Sequence, residues 1–201
     1  MPYTQNSVVD SFHWLNNAET NSVEFKRLLD SNKTFFNVKP LPDNFEMWKV
    51  VDADSNFVIA LVSMVDERVI YYIKCETWDD IVLRSKPVTQ LKLWRTIDAR
   101  HQSLTSGLPA LVFSKLLDEY NVVASDGVHT YSGKRFWQQE LSRAIYSNLF
   151  VYRYDVISSD LTRLDSSDGI ADNAVDLWGD DEKYMNVLAI ISKESLTNRA
   201  F

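Results

Sequence analysis

The apolar positions of this chain change period several times, and each change marks an element. From 20 to 30, Val23, Phe25, Leu28 and Leu29 fall roughly on one face of a 3.6-residue helix, with Asn21 or Ser22 to cap its start. The run Val38-Lys-Pro-Leu-Pro42 then breaks helix and strand alike, because two prolines fix φ and remove donors. Two β-rich runs, 45–52 and 57–65, flank Asp54-Ser55-Asn56, whose side chains suit a tight turn, so a hairpin is predicted there. A third run, 69–75, follows the turn-like Asp66-Glu67-Arg68 and extends the hairpin to an antiparallel meander. The span 77–86 reads as a polar connection ending at Pro87.

From 88 onward strands and helices alternate. The β-branched and apolar run 88–97 predicts a strand, and 98–106 is polar and loop-like. Ser106 can cap a helix over 107–120, where Pro109 sits early enough for its missing N–H to cost little and Leu108, Val112, Leu116 and Leu117 recur at helical spacing. A short apolar run, 122–124, stops at Ser125-Asp126-Gly127. A second amphipathic helix, 134–146, places Phe136 or Trp137, Leu141, Ala144 and Ile145 opposite Lys134, Arg135, Gln139 and Arg143. Strands are predicted over 149–156 and 184–192. Between them, 155–182 carries nine acidic residues against Arg163 and no periodic apolar stripe, which reads as a solvated loop.

The expected architecture is a single α/β (α+β) domain over 1–201, with a mixed, mostly antiparallel central sheet flanked by helices. Residues 1–19 form an N-terminal extension, 20–156 the core, and 157–201 the acidic loop with the last strand. Composition agrees with a folded chain: 45% of the 201 residues are apolar, 12% are aromatic, and glycine and proline number only five each. A formal charge of −7 argues against general adhesion to nucleic acid or an anionic membrane, which both need clustered Lys and Arg. No apolar run approaches the ~20 residues that span a bilayer, and residues 1–10 lack a signal-peptide pattern, so a soluble, unexported protein is expected. Cys75 is the only cysteine, so no internal disulfide forms; within a predicted strand it reads as an ordinary apolar side chain.

The order helix, meander, strand, loop, helix, strand, helix, strand over roughly 20–155 resembles the N-acetyltransferase (GNAT) superfamily. In that family the loop after the fourth strand opens a helix whose free N–H groups and dipole hold the cofactor pyrophosphate. Here the corresponding stretch is Arg100-His-Gln-Ser-Leu-Thr-Ser-Gly-Leu-Pro-Ala110, in which Gly107 is the only glycine of the family's Gln/Arg-x-x-Gly-x-Gly/Ala pattern. The resemblance implies acetyl-CoA as cofactor, held by Gln102, Ser106 and Gly107, and proton handling by Glu76, Asp98 or Tyr131 as catalytic candidates. The segments 124–137 and 87–95 also look like proteins of bacteriophages and mobile elements.

Other constellations point elsewhere. Ser125, Asp126, His129 and Thr130 cluster in one loop, without the Gly-x-Ser-x-Gly turn of a hydrolase. His13, His101 and His129 show no helical zinc-site spacing, and no metal site is expected. Of six tryptophans, Trp14, Trp78 and Trp178 stand in polar surroundings, which suits a protein partner, such as another virion protein or a second copy. Asp160, Asp165, Asp168, Asp172, Asp176 and Asp180 recur every three to five residues, a spacing that invites comparison with a DNA mimic. Three functions follow: a non-enzymatic binding or virion-associated protein, an acetyl-CoA-dependent N-acetyltransferase acting on an amine, and an acidic DNA-mimic inhibitor of a host defence enzyme.

Overall fold

A computed structural model describes residues 12–52, 55–78, 85–124, 131–179 and 186–197. Their contacts gather into two compact units, the first drawn from Asp10–Thr77 and Leu91–Lys115, the second from Trp78–Gln90 and Leu116–Phe201.

In the first unit, a 3-10 turn, Phe12–Asn16, leads into helix α1, Ala18–Asp30. The cap is Asn17, whose side chain accepts from the N–H groups of Glu19 and Thr20 at 2.9 and 3.2 Å. Asn21 and Ser22, expected in that role, lie inside the helix, where a side chain can no longer reach the free N–H groups of the first turn. A short strand that periodicity did not reveal, β1 (Lys33–Phe35), follows. It pairs antiparallel with β2 (Phe45–Val51), which pairs with β3 (Phe57–Ser63), which pairs with β4 (Arg68–Trp78). The predicted hairpin and meander are therefore present, although Asp54 of the first turn lies outside the described residues. Strand β5 (Val88–Arg95) completes this sheet with its C-terminal half.

β3 is buried along its whole length, as a continuous apolar run covered on both faces must be. Val58, Ala60 and Val62 of one face pack with Phe25 and Leu28 of α1, Trp48, Val50, Val69 and Tyr72. Phe12 and Leu15 of the supposed N-terminal extension belong to the same cluster.

In the second unit, Val88, Thr89 and Gln90 of β5 run parallel to β6 (Asn121–Val123). Parallel neighbours need a long crossover, and the chain between them contains helix α2 (Gln102–Thr105) and helix α3 (Leu108–Glu119). After helix α4 (Tyr131–Tyr146) come β7 (Phe150–Asp155) and β8 (Leu161–Arg163), then helices α5 (Ser167–Asp172) and α6 (Ala174–Trp178) and strand β9 (Val187–Ser192). β9 is inserted antiparallel between β6 and β7, and β8 pairs with β7. Every residue of β9 is buried.

The acidic stretch is not a plain solvated loop. It folds into β8, α5 and α6, burying Ile170, Leu177 and Trp178. Helices of five or six residues bury only one or two side chains each, too few to establish a period in the sequence. The chain is thus an α+β protein whose strands pair mainly antiparallel, with β5 and β6 parallel.

One buried side chain ties three elements of the first unit together. Asn21 of α1 donates through Nδ2 to Leu15 O at 2.8 Å and Val69 O at 3.1 Å, and its Oδ1 accepts from the Val69 N–H at 2.8 Å. Asn21→Ala should cost about 1–3 kcal/mol, the penalty of leaving a buried N–H unpaired. Urea unfolding measures this, and a loss below about 0.5 kcal/mol, as at an ordinary surface site, would contradict it.

Candidate functional site

One concavity of the first unit is a cavity of about 370 Å³. Beside it β4 bulges against β3: Leu61 pairs with Tyr71 and Val62 with Val69, leaving Ile70 as the extra residue. The Ile70 carbonyl accepts from Thr96 N–H at 2.9 Å and ties the chain just after β5 to the bulge. Leu15, Ile70, Trp94 and Ile97 give the cavity apolar wall, Asp66, Arg68, Asp98 and Arg100 give it charge, and His101 adds an imidazole. Trp94 is oriented by its indole N–H, which donates to Asn16 Oδ1 at 3.1 Å.

The polar groups are fixed by local turns. Ser63 donates to Asp66 Oδ2 at 3.0 Å and accepts from the Asp66 N–H, so the β3–β4 turn sets that carboxylate in place. Asp98 caps a 3-10 turn, Ala99–His101, by accepting from the Arg100 N–H, and also receives the Arg100 guanidinium through Nε and Nη2. His101, only 6% exposed, meets Phe45 edge-on at 5.7 Å. Its Nε2 stands 3.6 Å from Asp66 Oδ2, an ion-pair distance too long for a direct hydrogen bond.

The segment 98–106, expected as a loop, is instead coiled into that 3-10 turn and the single-turn α2. Gln102 opens α2, and its carbonyl accepts from the Ser106 N–H at 2.9 Å; Thr105 is buried beneath them. Gly107 has φ +68°, a left-handed conformation that separates α2 from α3. A Cβ there would meet no protein atom within 4 Å.

Glu76 lies on β4, 3.0 Å from the Lys74 ammonium and 3.4 Å from that of Lys92. Burial alone would raise its pKa, but the two lysines outweigh it and the pKa is lowered. The side-chain and backbone N–H groups of Arg100 hold the Asp98 carboxyl down to about 2. Burial pushes the Cys75 thiol far up, which fits an inert strand residue. Tyr131 is the first residue of α4; its side chain, and the cluster Ser125, Asp126, His129 and Thr130, lie outside the described residues.

The structure therefore brings Asp98 to the cavity, leaves Glu76 among lysines on β4, and places Gln102, Ser106 and Gly107 in one continuous turn. Asp66, Arg68 and His101 line the cavity without having been singled out as a group. No local spacing could reveal them, since the β3–β4 turn and the segment after β5 meet only in three dimensions. Trp178, expected at an interface, is buried, and Trp78 packs against the core of the second unit. Trp14 keeps 37% exposure and lies edge-on to Tyr72 at 6.1 Å. Among the described residues, no group of three or more His, Cys, Asp or Glu could hold a metal, and no helix is long and apolar enough to cross a membrane.

Two measurements check these environments. In a carboxyl NMR titration, Asp98 should stay ionised until the pH approaches about 2. Its folded pKa lies below the usual ~3.9, so the stabilising contribution is present above about pH 4 and lost as the pH falls toward 2. A midpoint near 7 would instead make it a poised base. Native Cys75 should resist a thiol reagent until urea unfolds the chain, and immediate labelling at pH 8 would overturn its assignment as buried and inert. No protein-family model, curated protein or solved structure matches this chain.

Proposed function

We propose that this chain is a non-enzymatic binding or virion-associated protein, encoded by a phage or mobile element and built on an N-acetyltransferase-like architecture. The observation that carries this reading is the closed turn at 102–107. An acetyl-CoA site there needs backbone N–H groups directed at a pyrophosphate. The Ser106 N–H is already bonded to Gln102 O, Pro109 has none to offer, and Thr105 is turned into the core. Glu76 and Asp98 are similarly committed, each held ionised by neighbouring cations with a lowered pKa, whereas a general base works best with a pKa near the operating pH.

The architecture is supported by the antiparallel meander, by parallel β5 and β6 with α3 between them in sequence, and by β9 inserted between β6 and β7. That same arrangement favours the second reading, acetyl transfer to an amine, because it supplies the helix on which the family's cofactor rests. The DNA-mimic reading draws on exposed Asp168 and Asp172, but Asp176 pairs with Arg153 at 3.0 Å and Asp165 pairs with Arg163. A protein partner is supported by large exposed apolar side chains. In the first unit these include Phe35, 68% exposed on the short edge strand β1, and Val51 on β2. An edge strand offers unpaired backbone groups as well as side chains to a partner.

Calorimetric titration with acetyl-CoA and with coenzyme A separates the readings. No saturable heat at about millimolar ligand, a free energy near −4 kcal/mol, is expected. Saturable one-to-one binding at micromolar concentrations, abolished in a folded Gly107→Asp variant, would establish the acetyltransferase reading instead. That variant should keep the fold, because its side chain enters open space and a left-handed aspartate costs only about 1–2 kcal/mol.

A further inference from the structure

We propose that the cavity of the first unit is a binding site for a free α-amino acid with an apolar side chain, Asp66 taking the ammonium and Arg68 the carboxylate. Its volume, about 370 Å³, lies at the small end of the roughly 300–1,000 Å³ typical of ligand pockets, and suits a single amino acid rather than a nucleotide.

Charge selects the ligand class. The wall carries two carboxylates, Asp66 and Asp98, and two guanidiniums, Arg68 and Arg100, so it is neutral overall but strongly dipolar. Arg100 and Asp98 satisfy each other through a two-pronged contact. Asp66 and Arg68, two residues apart at the β3–β4 turn, are the more loosely engaged opposed charges. Asp66 is held by the Ser63 hydroxyl and makes only a long ion pair to Arg100 Nη1, at 4.0 Å, which a ligand ammonium would share. Among the described residues no ion pair engages Arg68. A zwitterion meets this wall without leaving a charge unpaired, whereas a simple anion or cation would answer only one of the two signs.

The rest of the cavity fits the same ligand. His101 is nine-tenths buried, and its Nε2, too far from Asp66 for a direct bond, offers a second polar contact beside the ammonium position. Trp94 and Ile97 supply the accessible surface for an apolar side chain, backed by buried Leu15 and Ile70; Ile97 stands 86% exposed, and a ligand would cover it. This inference does not rest on the non-enzymatic reading, because none of the three polar contacts, Asp66, Arg68 and His101, belongs to the 102–107 turn. The coenzyme titration can go either way without moving it.

Calorimetry on the full chain with L-phenylalanine and L-leucine should give saturable one-to-one binding. N-acetyl-L-phenylalanine, which lacks the ammonium, and L-phenylalaninamide, which lacks the carboxylate, should each bind about tenfold or more weakly, the loss expected for one charge-assisted contact. Arg68 is exposed, so Arg68→Met should melt like the parent; it should weaken phenylalanine by about tenfold and leave phenylalaninamide unchanged. Absence of saturable binding by both amino acids, equal binding of the blocked derivatives, or unaltered phenylalanine affinity in folded Arg68→Met would overturn the proposal.

Discussion

The first unit depends on how Asn21 uses its amide. Val69 stands beside the bulge in β4, where the ladder to β3 loses its regular register, and its N–H and C=O would otherwise be buried polar groups without a strand partner. A primary amide is the one neutral side chain that presents a donor and an acceptor side by side, as a neighbouring strand would. Asn21 supplies both, and its second amide hydrogen takes Leu15 O at the end of the 3-10 turn. Because α1, the turn and β4 are joined at this point, the bulge can exist, Ile70 O can turn to Thr96, and a cavity opens beside them.

Electrostatics around that cavity shows why charged residues in a loop need not be reactive. Asp98 has the position expected of a working carboxylate, at the end of a strand and beside a cavity, yet Arg100 two residues later reaches it with both backbone and side chain. A carboxylate stabilised so strongly as an anion is a weak base, and position alone does not restore it. Glu76 shows the same principle with two lysines in place of one arginine.

The strands were legible in the sequence wherever burial covered both faces or one face cleanly. β3 and β9 are uninterrupted apolar runs, and α1, α3 and α4 carry helical stripes long enough to count. What escaped was short or relational. β1, α2, α5 and α6 have three to six residues each, below the length at which a period is distinguishable from chance. Asn21 reads locally as a helix cap, and only the fold reveals that its partners are Leu15 and Val69. The cavity was illegible for the same reason, since Asp66 and Arg68 look like turn residues and His101 like an isolated histidine until β4 and β5 are side by side.

The turn at 102–107 shows how little separates an anion-binding loop from a structural one. Both begin with polar residues after a strand and end with glycine before a helix. The difference lies in where the backbone N–H groups go: an open loop directs successive donors outward, whereas α2 folds the Ser106 N–H back onto Gln102 O and draws Thr105 into the core. A second glycine would let the backbone remain open by removing the side chain that packs. In its place stand Thr105, whose hydroxyl donates to the carbonyls of His101 and Gln102, and Pro109, which fills the first turn of α3 without a donor. These two side chains are where this helix start departs from the open, donor-rich loop that holds an anion.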